Sequence, residues 1–387
     1  MQKKYLWPEY SKKEIEIASK VIRSNKVNYL FGSYGKIFEK NFSKFSNTNY
    51  SLAVANGTLA LDLALRAINL KPGDEVLVTS RSYVASASCI SLLGGVPIFC
   101  DVDLNSQNIL PDEILAKISK KTKAIICVHF SGFPCEMNII LDIAKKNRIA
   151  VIEDCAQAHG AMIGDKSVGS FGEINAWSFC NDKIMTLLGE GGMVTTNSEK
   201  HFQFISSFNN HGKNLEKYFN SSNLTEFPYI HESIGSNYRI TEMQSAVGIY
   251  QLSKIKSWQQ TRERNAKIIV NAVHDLDIIS VPEVPREYKH GWYKLYLTLK
   301  DTKIKKSASR ADILEYLNAN SVPAFFGGCG EIYNEKPFKM HKPPKRLKNA
   351  AYLQKYSLMF PVHPTITKFE MKRRAKFIVS ALKKFSK

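Results

Sequence analysis

No apolar run in this chain approaches the ~20 consecutive residues that a membrane span requires, so no membrane-embedded role is expected. The Met-Gln-Lys-Lys start also leads into no apolar stretch of the signal-peptide kind, which points to a cytoplasmic protein. Metal-binding signatures are missing as well. The seven cysteines (Cys89, Cys100, Cys127, Cys135, Cys155, Cys180 and Cys329) are odd in number and form no Cys-x-x-Cys or Cys/His pattern, so no zinc site is expected and metal ligands are put at none. Reduced, mostly buried thiols are the plain reading, with Cys180 set apart by its place three residues before Lys183. Internal repeats and low-complexity tracts are absent too.

Acidic residues are scarce beside basic ones, 35 against 54, which leaves a net charge of +19. Such an excess fits a basic solvated surface, attraction of a polyanionic small substrate, or nucleic-acid binding. The basic residues are scattered, with only short clusters such as Lys303-Ile-Lys-Lys306 and Lys342-Pro-Pro-Lys-Arg346, and no RNA- or DNA-binding motif appears. No nucleic-acid partner is therefore expected.

What the chain does have is alternation. Apolar runs of strand length (Val76–Thr79, Val96–Cys100, Ala124–Val128, Ala150–Ile152, Ala176–Phe179) are separated by helix-period segments (Thr58–Arg66, Ala85–Leu93, Pro111–Ile118, Met137–Lys146). Continuous apolar strands between helices predict an α/β protein whose mostly parallel sheet is covered on both faces. Ligands of such sheets bind beyond the carboxyl ends of the strands. From about residue 200 the pattern turns helical, with a polar, aromatic-rich loop from Asn209 to Tyr238 ahead of a helix at Thr241–Tyr250. A strand over Trp292–Leu299, a helix over Ala308–Asn318 and a closing helix over Lys368–Phe385 predict a small α+β domain. The expected division is 1–260 for an N-terminal arm and large domain, and 261–387 for the small one.

Chemistry is carried by Lys183, in Ser178-Phe-Cys-Asn-Asp-Lys183, downstream of the strand that ends in Glu153-Asp154. A lysine amine and a buried carboxylate together suit pyridoxal 5′-phosphate: the amine takes the aldehyde as a Schiff base, and the acid keeps the ring nitrogen protonated. Asn56-Gly57-Thr58 opens a strongly helical run and reads either as a phosphate cup at a helix N-terminus or as a simple N-cap. Ser178 offers a further hydroxyl to that phosphate, or is a core serine. Tyr83 stands after a strand edge, where an aromatic stacks on a ligand ring or joins the core. Gln157, three residues past Asp154, is within reach of the same ring. Gly189-Glu-Gly-Gly192 permits a close backbone approach or a hairpin turn.

These pieces, with Phe38-Glu39, Pro72-Gly-Asp-Glu-Val76, Glu153-Asp-Cys-Ala-Gln-Ala-His-Gly160, His211-Gly212 and Gly235-Ser-Asn-Tyr-Arg239, resemble the DegT/DnrJ/EryC1/StrS family of sugar aminotransferases across essentially the whole chain. The resemblance implies the fold type I architecture, with a mostly parallel seven-stranded sheet in the large domain. It implies Lys183 as Schiff-base lysine and acid/base, and Asp154 as partner of the ring nitrogen. Gln157 would contact the cofactor, Gly57, Thr58 and Ser178 its phosphate, and Tyr83 the ring face. Asn237, with Arg239, would reach the phosphate of a neighbouring subunit, implying a homodimer with shared active sites. Arg239, His211 and Lys213 are candidate contacts for the substrate.

The implied activity is transfer of an amino group from L-glutamate to a nucleotide-linked 4-keto-6-deoxy sugar, for surface polysaccharide or glycan biosynthesis. Relatives that dehydrate sugars carry histidine at the lysine position, so Lys183 favours transamination. The stretch Phe-Cys-Asn-Asp lacks the histidine of some 4-aminotransferases, which leaves amination at C3 open. A cofactor-binding regulator and a basic scaffold for glycan assembly are the readings from other classes.

Overall fold

The computed structural model describes residues 5–220 and 229–387. Met1–Lys4 and the 221–228 part of the polar loop lie outside the described residues. In chain order the strands are β1 (Tyr50–Val54), β2 (Glu75–Thr79), β3 (Val96–Cys100), β4 (Thr122–Val128), β5 (Ala150–Asp154), β6 (Met162–Ile163), β7 (Lys166–Ser167), β8 (Ile174–Ser178), β9 (Gly192–Thr196), β10 (Ile279–Ser280), β11 (Tyr288–Lys289), β12 (Leu295–Leu299) and β13 (Ser357–Phe360). The α-helices are α1 (Lys12–Arg23), α2 (Tyr34–Ser46), α3 (Gly57–Ala67), α4 (Ala85–Leu92), α5 (Pro111–Lys117), α6 (Met137–Asn147), α7 (Glu199–Phe208), α8 (Leu215–Asn220), α9 (Glu242–Val273), α10 (Arg310–Ala319), α11 (Lys348–Tyr356) and α12 (Lys368–Phe385).

Seven strands form the large sheet in the order β1-β9-β8-β5-β4-β2-β3. The run β8-β5-β4-β2-β3 is parallel, and β9 alone runs against its neighbours. Period-two alternation sends β2 and β4 into two cores at once. Val76, Val78, Ala124, Ile126 and Val128 join one apolar cluster, while Leu77, Ile125 and Cys127 join the cluster on the other face. The order of the strands reverses between β2 and β4, which is where an open α/β sheet leaves a crevice beyond its strand ends.

Caps set the helix starts. Asn56 accepts the Leu59 N–H at 2.9 Å ahead of α3, and Thr241 with Gln244 forms a capping box at α9. The Glu242 carboxylate accepts the Tyr34 and Gly35 N–H groups at 2.7 and 2.8 Å, so the first turn of α9 caps α2. The expected Thr241–Tyr250 helix thus proves to be the opening of a 32-residue helix. Its second half supplies Ala266, Ile269 and Val273 to the C-terminal core around β12, β13 and α12. The 260/261 division falls inside this helix, which serves both cores.

One strand is shorter than its sequence suggests. Trp292–Leu299 alternates well, yet β12 starts only at Leu295: Gly291 N–H and Tyr293 N–H bond to the Gly132 and Ser131 carbonyls at 2.8 and 2.9 Å, and Trp292 turns the chain at φ 50°. Tertiary pairing with the loop after β4 overrides the local pattern.

The closing helix carries a pH-dependent brace. Glu370, 8% exposed, binds Arg373 and Arg374, each closest contact at 2.8 Å. The Arg373 hydrogen bonds, against the opposing pull of burial and with Arg374 beside them, hold its carboxyl down to about 2, from an ordinary 4.5. A depressed carboxylate stabilises the fold above its unfolded pKa and ceases to as pH falls through the folded value. Glu370→Gln is therefore expected to cost ~1–3 kcal/mol at pH 7, with a gap from wild type that narrows below pH ~4.5. Urea unfolding at pH 7, 4 and 3 reads this, and a gap that stays constant would contradict it.

Candidate active site

β5 delivers two acids to the carboxyl edge on opposite faces. Glu153 faces inward, 0% exposed, and accepts the N–H groups of Gly169, Phe171 and Gly172 at 2.7–2.8 Å, with His129 Nε2 at 2.9 Å. Because His129 Nδ1 accepts the Cys135 N–H at 3.0 Å, Nε2 carries the proton and donates to Glu153. With Cys155 these form the one His/Cys/acid group of metal-binding size among the described residues. It reads as a brace: carboxylate and imidazole are engaged, and burial pushes the Cys155 thiol well above its ordinary value.

Asp154, the last residue of β5, is 5% exposed and accepts from Ser86 Oγ at 2.8 Å and from the Ala156 N–H at 3.1 Å. Ser82 Oγ lies 2.9 Å from Ser86 Oγ, so a serine pair from the start of α4 steadies the acid. A carboxylate has about four lone-pair sites, and two donors leave room for a third. Gln157 turns its carbonyl to the Ser131 N–H at 2.7 Å, leaving its amide N–H groups to donate elsewhere.

Sheet register aligns the phosphate-side residues. Ser178 pairs with Gly192, and Gly192 with Val54, so the ends of β8 and β1 flank the start of β9. Gly57, at the N-terminus of the 11-residue helix α3, packs so tightly on Ser178 that an added Cβ would stand 2.6 Å from the Ser178 Cβ. At Gly192 an added Cβ would meet the Asn56 carbonyl oxygen at 2.4 Å. The close approach expected of the Gly189–Gly192 run is thus real at its last residue. It brings the N-terminus of α3, with Thr58 in its first turn, against Ser178, whose Oγ lies 3.1 Å from where a Gly57 Cβ would stand and accepts the Cys180 N–H at 3.3 Å.

Lys183 is held by its backbone rather than its amine. Its N–H bonds to the Cys180 carbonyl at 3.0 Å, and its own carbonyl accepts the Trp7 indole N–H at 2.8 Å. Trp7 meets Trp258 edge-on at 5.1 Å, stacks on His363 at 6.2 Å and lies under Arg262 at 5.0 Å. Among the described residues no acceptor or carboxylate bonds Lys183 Nζ, which sits 5.0 Å from the centroid of the Tyr293 ring. The Tyr293 hydroxyl donates to Asp182 at 2.5 Å, and Lys294 Nζ stands 3.6 Å from the same carboxylate. Burial would push Asp182 up, but Lys183, Lys294 and the Tyr293 hydroxyl more than offset it and hold the carboxyl below its ordinary value. Beside Lys183, between Trp177 and Phe179, His159 has both ring nitrogens buried without partners, and burial, aided by the Lys183 and Arg262 charges, pushes it down to about 3.

Tyr83 follows β2 as expected and is 69% exposed at the crevice side of the sheet. Asn237, Arg239, His211 and Lys213 form a separate group. Asn210 pairs with Asn237, Arg239 donates to Asn210 at 3.2 Å, and Lys213 lies over Tyr218 at 4.6 Å. The Ala55 N–H bonds to the Tyr238 carbonyl at 2.8 Å, which fixes this segment to the end of β1. The structure does not bring these four into contact with Lys183 or Asp154 within the chain.

Sequence reasoning missed Tyr293, Asp182 and Lys294 around the amine, Ser86 behind Asp154, and Trp7. Asp182 was adjacent to Lys183 and was the one available signal. Tyr293 lies 111 positions from Asp182 and sits in a run that looks like plain strand.

The chain is similar to known proteins over most of its length. The aminotransferase from Psychrobacter cryohalolentis is 41% identical, superposes with a TM-score of 0.96, and matches 98% of this chain and 99% of its own. GDP-perosamine synthase of Escherichia coli O157:H7 is 36% identical over 286 residues, 74% of this chain and 75% of that protein. The UDP-N-acetyl-3-dehydro-alpha-D-glucosamine 3-aminotransferase of Acidithiobacillus ferrooxidans is 30% identical over 351 residues, 91% and 89% of the two chains. Residues 8–379 match one family along nearly their full length, and the chain belongs to it: the DegT/DnrJ/EryC1/StrS aminotransferase family.

Proposed function

We propose that this aminotransferase uses pyridoxal 5′-phosphate to move an amino group from L-glutamate to a nucleotide-linked 4-keto-6-deoxy sugar destined for a surface polysaccharide or glycan. The observation that carries the reading is Lys183 Nζ, which bonds no acceptor among the described residues and belongs to the loop after β8, on the sheet whose strand ends also present Asp154 and the Gly57–Ser178 contact. The residues fit the cofactor. Gly57 and Gly192 let Ser178 and β9 pack against the start of α3. There the Leu59 and Ala60 N–H groups are bonded to Asn56, and no bond from the Gly57 or Thr58 N–H is found among the described residues, which leaves those two for a phosphate. Asp154 keeps acceptor capacity for a ring N–H, and Gln157 keeps its donors.

When bound, the cofactor supplies a carbonyl that takes up amines and a protonated ring that holds the electrons left on a substrate carbon. Lys183 would hold it through Nζ and, once released from it, would hold and move a proton on that nitrogen. Asp154 would keep the ring nitrogen protonated, Tyr83 would cover the ring, and Thr58 and Ser178 would bind the phosphate. Asn237 is exposed on a segment anchored at β1, which suits a contact with the neighbouring subunit of a homodimer. Arg239, His211 and Lys213 give that segment the positive charge a sugar diphosphate would seek. Amination at C3 is the second reading, left open by the absence of histidine between Ser178 and Lys183.

The purified protein is expected to be yellow, and borohydride should fix the cofactor to Lys183 as an adduct found by peptide mass mapping. An adduct on another lysine, or a colourless protein that cannot be reconstituted, would sink the cofactor reading. Glutamate should discharge the colour, and a panel of 3-keto and 4-keto nucleotide sugars should then restore it with one acceptor.

A further inference from the structure

The amine end of the site holds more positive charge than its own acids balance. Lys183, Lys294 and Arg262 all act on Asp182, and Lys294 feels both other cations. Arg262 is fully buried, with Nε and one terminal nitrogen unpartnered, and its bonds go to the Trp292 and Tyr293 carbonyls. Lys294 is 15% exposed at its side chain, and its Nζ stands 3.6 Å from Asp182, beyond hydrogen-bond length. Asp182 itself is 51% exposed, so the cluster opens to solvent through it.

We propose that Lys294 receives a carboxylate of the amino donor. This rests on the transamination reading above and deepens it by naming a residue that holds the donor. Three features support it. First, Lys294 Nζ lies 4.7 Å from the centroid of the Tyr293 ring and Lys183 Nζ 5.0 Å, so the two amines are no further apart than those distances laid end to end. A donor whose nitrogen exchanges with Lys183 carries its carboxylates within that span. Second, the Lys294 backbone is clamped to Ser131 through its N–H at 3.3 Å and its carbonyl at 2.8 Å, and Ser131 in turn bonds Gln157. The ammonium is thus placed from the same loop that positions a cofactor contact. Third, burial pushes the Lys294 amine below its ordinary value, with Asp182 opposing and Arg262 and Lys183 adding to the shift. A cation so placed gains from a second anion.

The diphosphate of the nucleotide sugar is the other anion in this chemistry. It is separated from the reacting carbon by the hexose ring, whereas a donor carboxylate is bonded close to the reacting nitrogen. Calorimetric titration of the cofactor-loaded enzyme separates the two, with glutarate (a diacid lacking the amine) in one arm and UDP in the other. Lys294→Met is expected to weaken glutarate roughly 10- to 150-fold and to leave UDP unchanged, with Lys294→Arg recovering most of the loss. The glutamate KM should rise in the same variant while that for the sugar holds.

Unchanged glutarate binding in Lys294→Met, a loss confined to UDP, or no glutarate binding by the wild type would each overturn the proposal. The borohydride adduct on Lys183, measured in wild type and variant, reports the cofactor reading separately. An adduct without selective glutarate loss removes Lys294 from the donor site and leaves transamination standing. No adduct in the wild type overturns the cofactor reading and the donor assignment with it, and a selective glutarate loss would then mark Lys294 as a plain dicarboxylate site.

Discussion

Lys183→Ala is expected to lower kcat by ~10²–10⁴-fold or more, because one side chain supplies both the covalent hold on the cofactor and the proton carrier. The effect should come with little loss of stability. Lys183 Nζ bonds no acceptor among the described residues, and the loop is held by backbone contacts to Cys180 and Trp7 that alanine retains. Lys183→Arg sharpens the test: a guanidinium keeps a cation over Tyr293 but does not give up its proton near neutral pH. Both variants should therefore be inactive, and neither should yield the borohydride adduct. Methylamine added to the alanine variant should recover a small part of the rate. Activity within tenfold of wild type in either variant would show that another residue does the chemistry.

Asp154→Asn is expected to lower kcat by ~10- to 150-fold, the equivalent of a charge-assisted hydrogen bond of ~1.5–3 kcal/mol. The substitution preserves size, and the Ser86 hydroxyl can rotate to accept from the new amide while the Ala156 N–H keeps its acceptor. What disappears is the negative charge that keeps a ring nitrogen protonated. The loss should therefore appear in kcat for both donor and acceptor half-reactions, with the KM values changing little. A variant in which only one half-reaction slows would point to a substrate contact instead.

The legible parts of this protein were those whose cause is local. Strands buried on both faces must be apolar at consecutive positions, so the central strands and the end of β5 could be placed, and Asp154 followed as the acid at the sheet edge. Lys183 was legible through its neighbours Ser178 and Gly189–Gly192, whose spacing matches that of a known family. α12 was read with its full bounds because its periodicity is unbroken over 18 residues. Long-range contacts left weaker marks. Nothing local distinguishes Tyr293–Lys294 from the strand that follows, since the bend at Trp292 arises from pairing with Ser131–Gly132. Ser86 sits in a helix with little amphipathic character and shows its use only when α4 is set against β5. Glu242 looks like an ordinary first-turn acid of α9, yet it caps a different helix 207 residues earlier in the chain.

Trp7 is a clasp between segments far apart in the sequence. The indole that bonds the Lys183 carbonyl rests on Trp258 and His363, while the neighbouring Leu6 carbonyl accepts from Thr365. Lys183, Trp258, Arg262 and His363 come from separate stretches of the chain, so one indole ties the lysine loop, the long helix α9 and the segment after β13 to a single point. Trimming that side chain would free the Lys183 backbone and the His363 segment together, although neither touches the other in sequence.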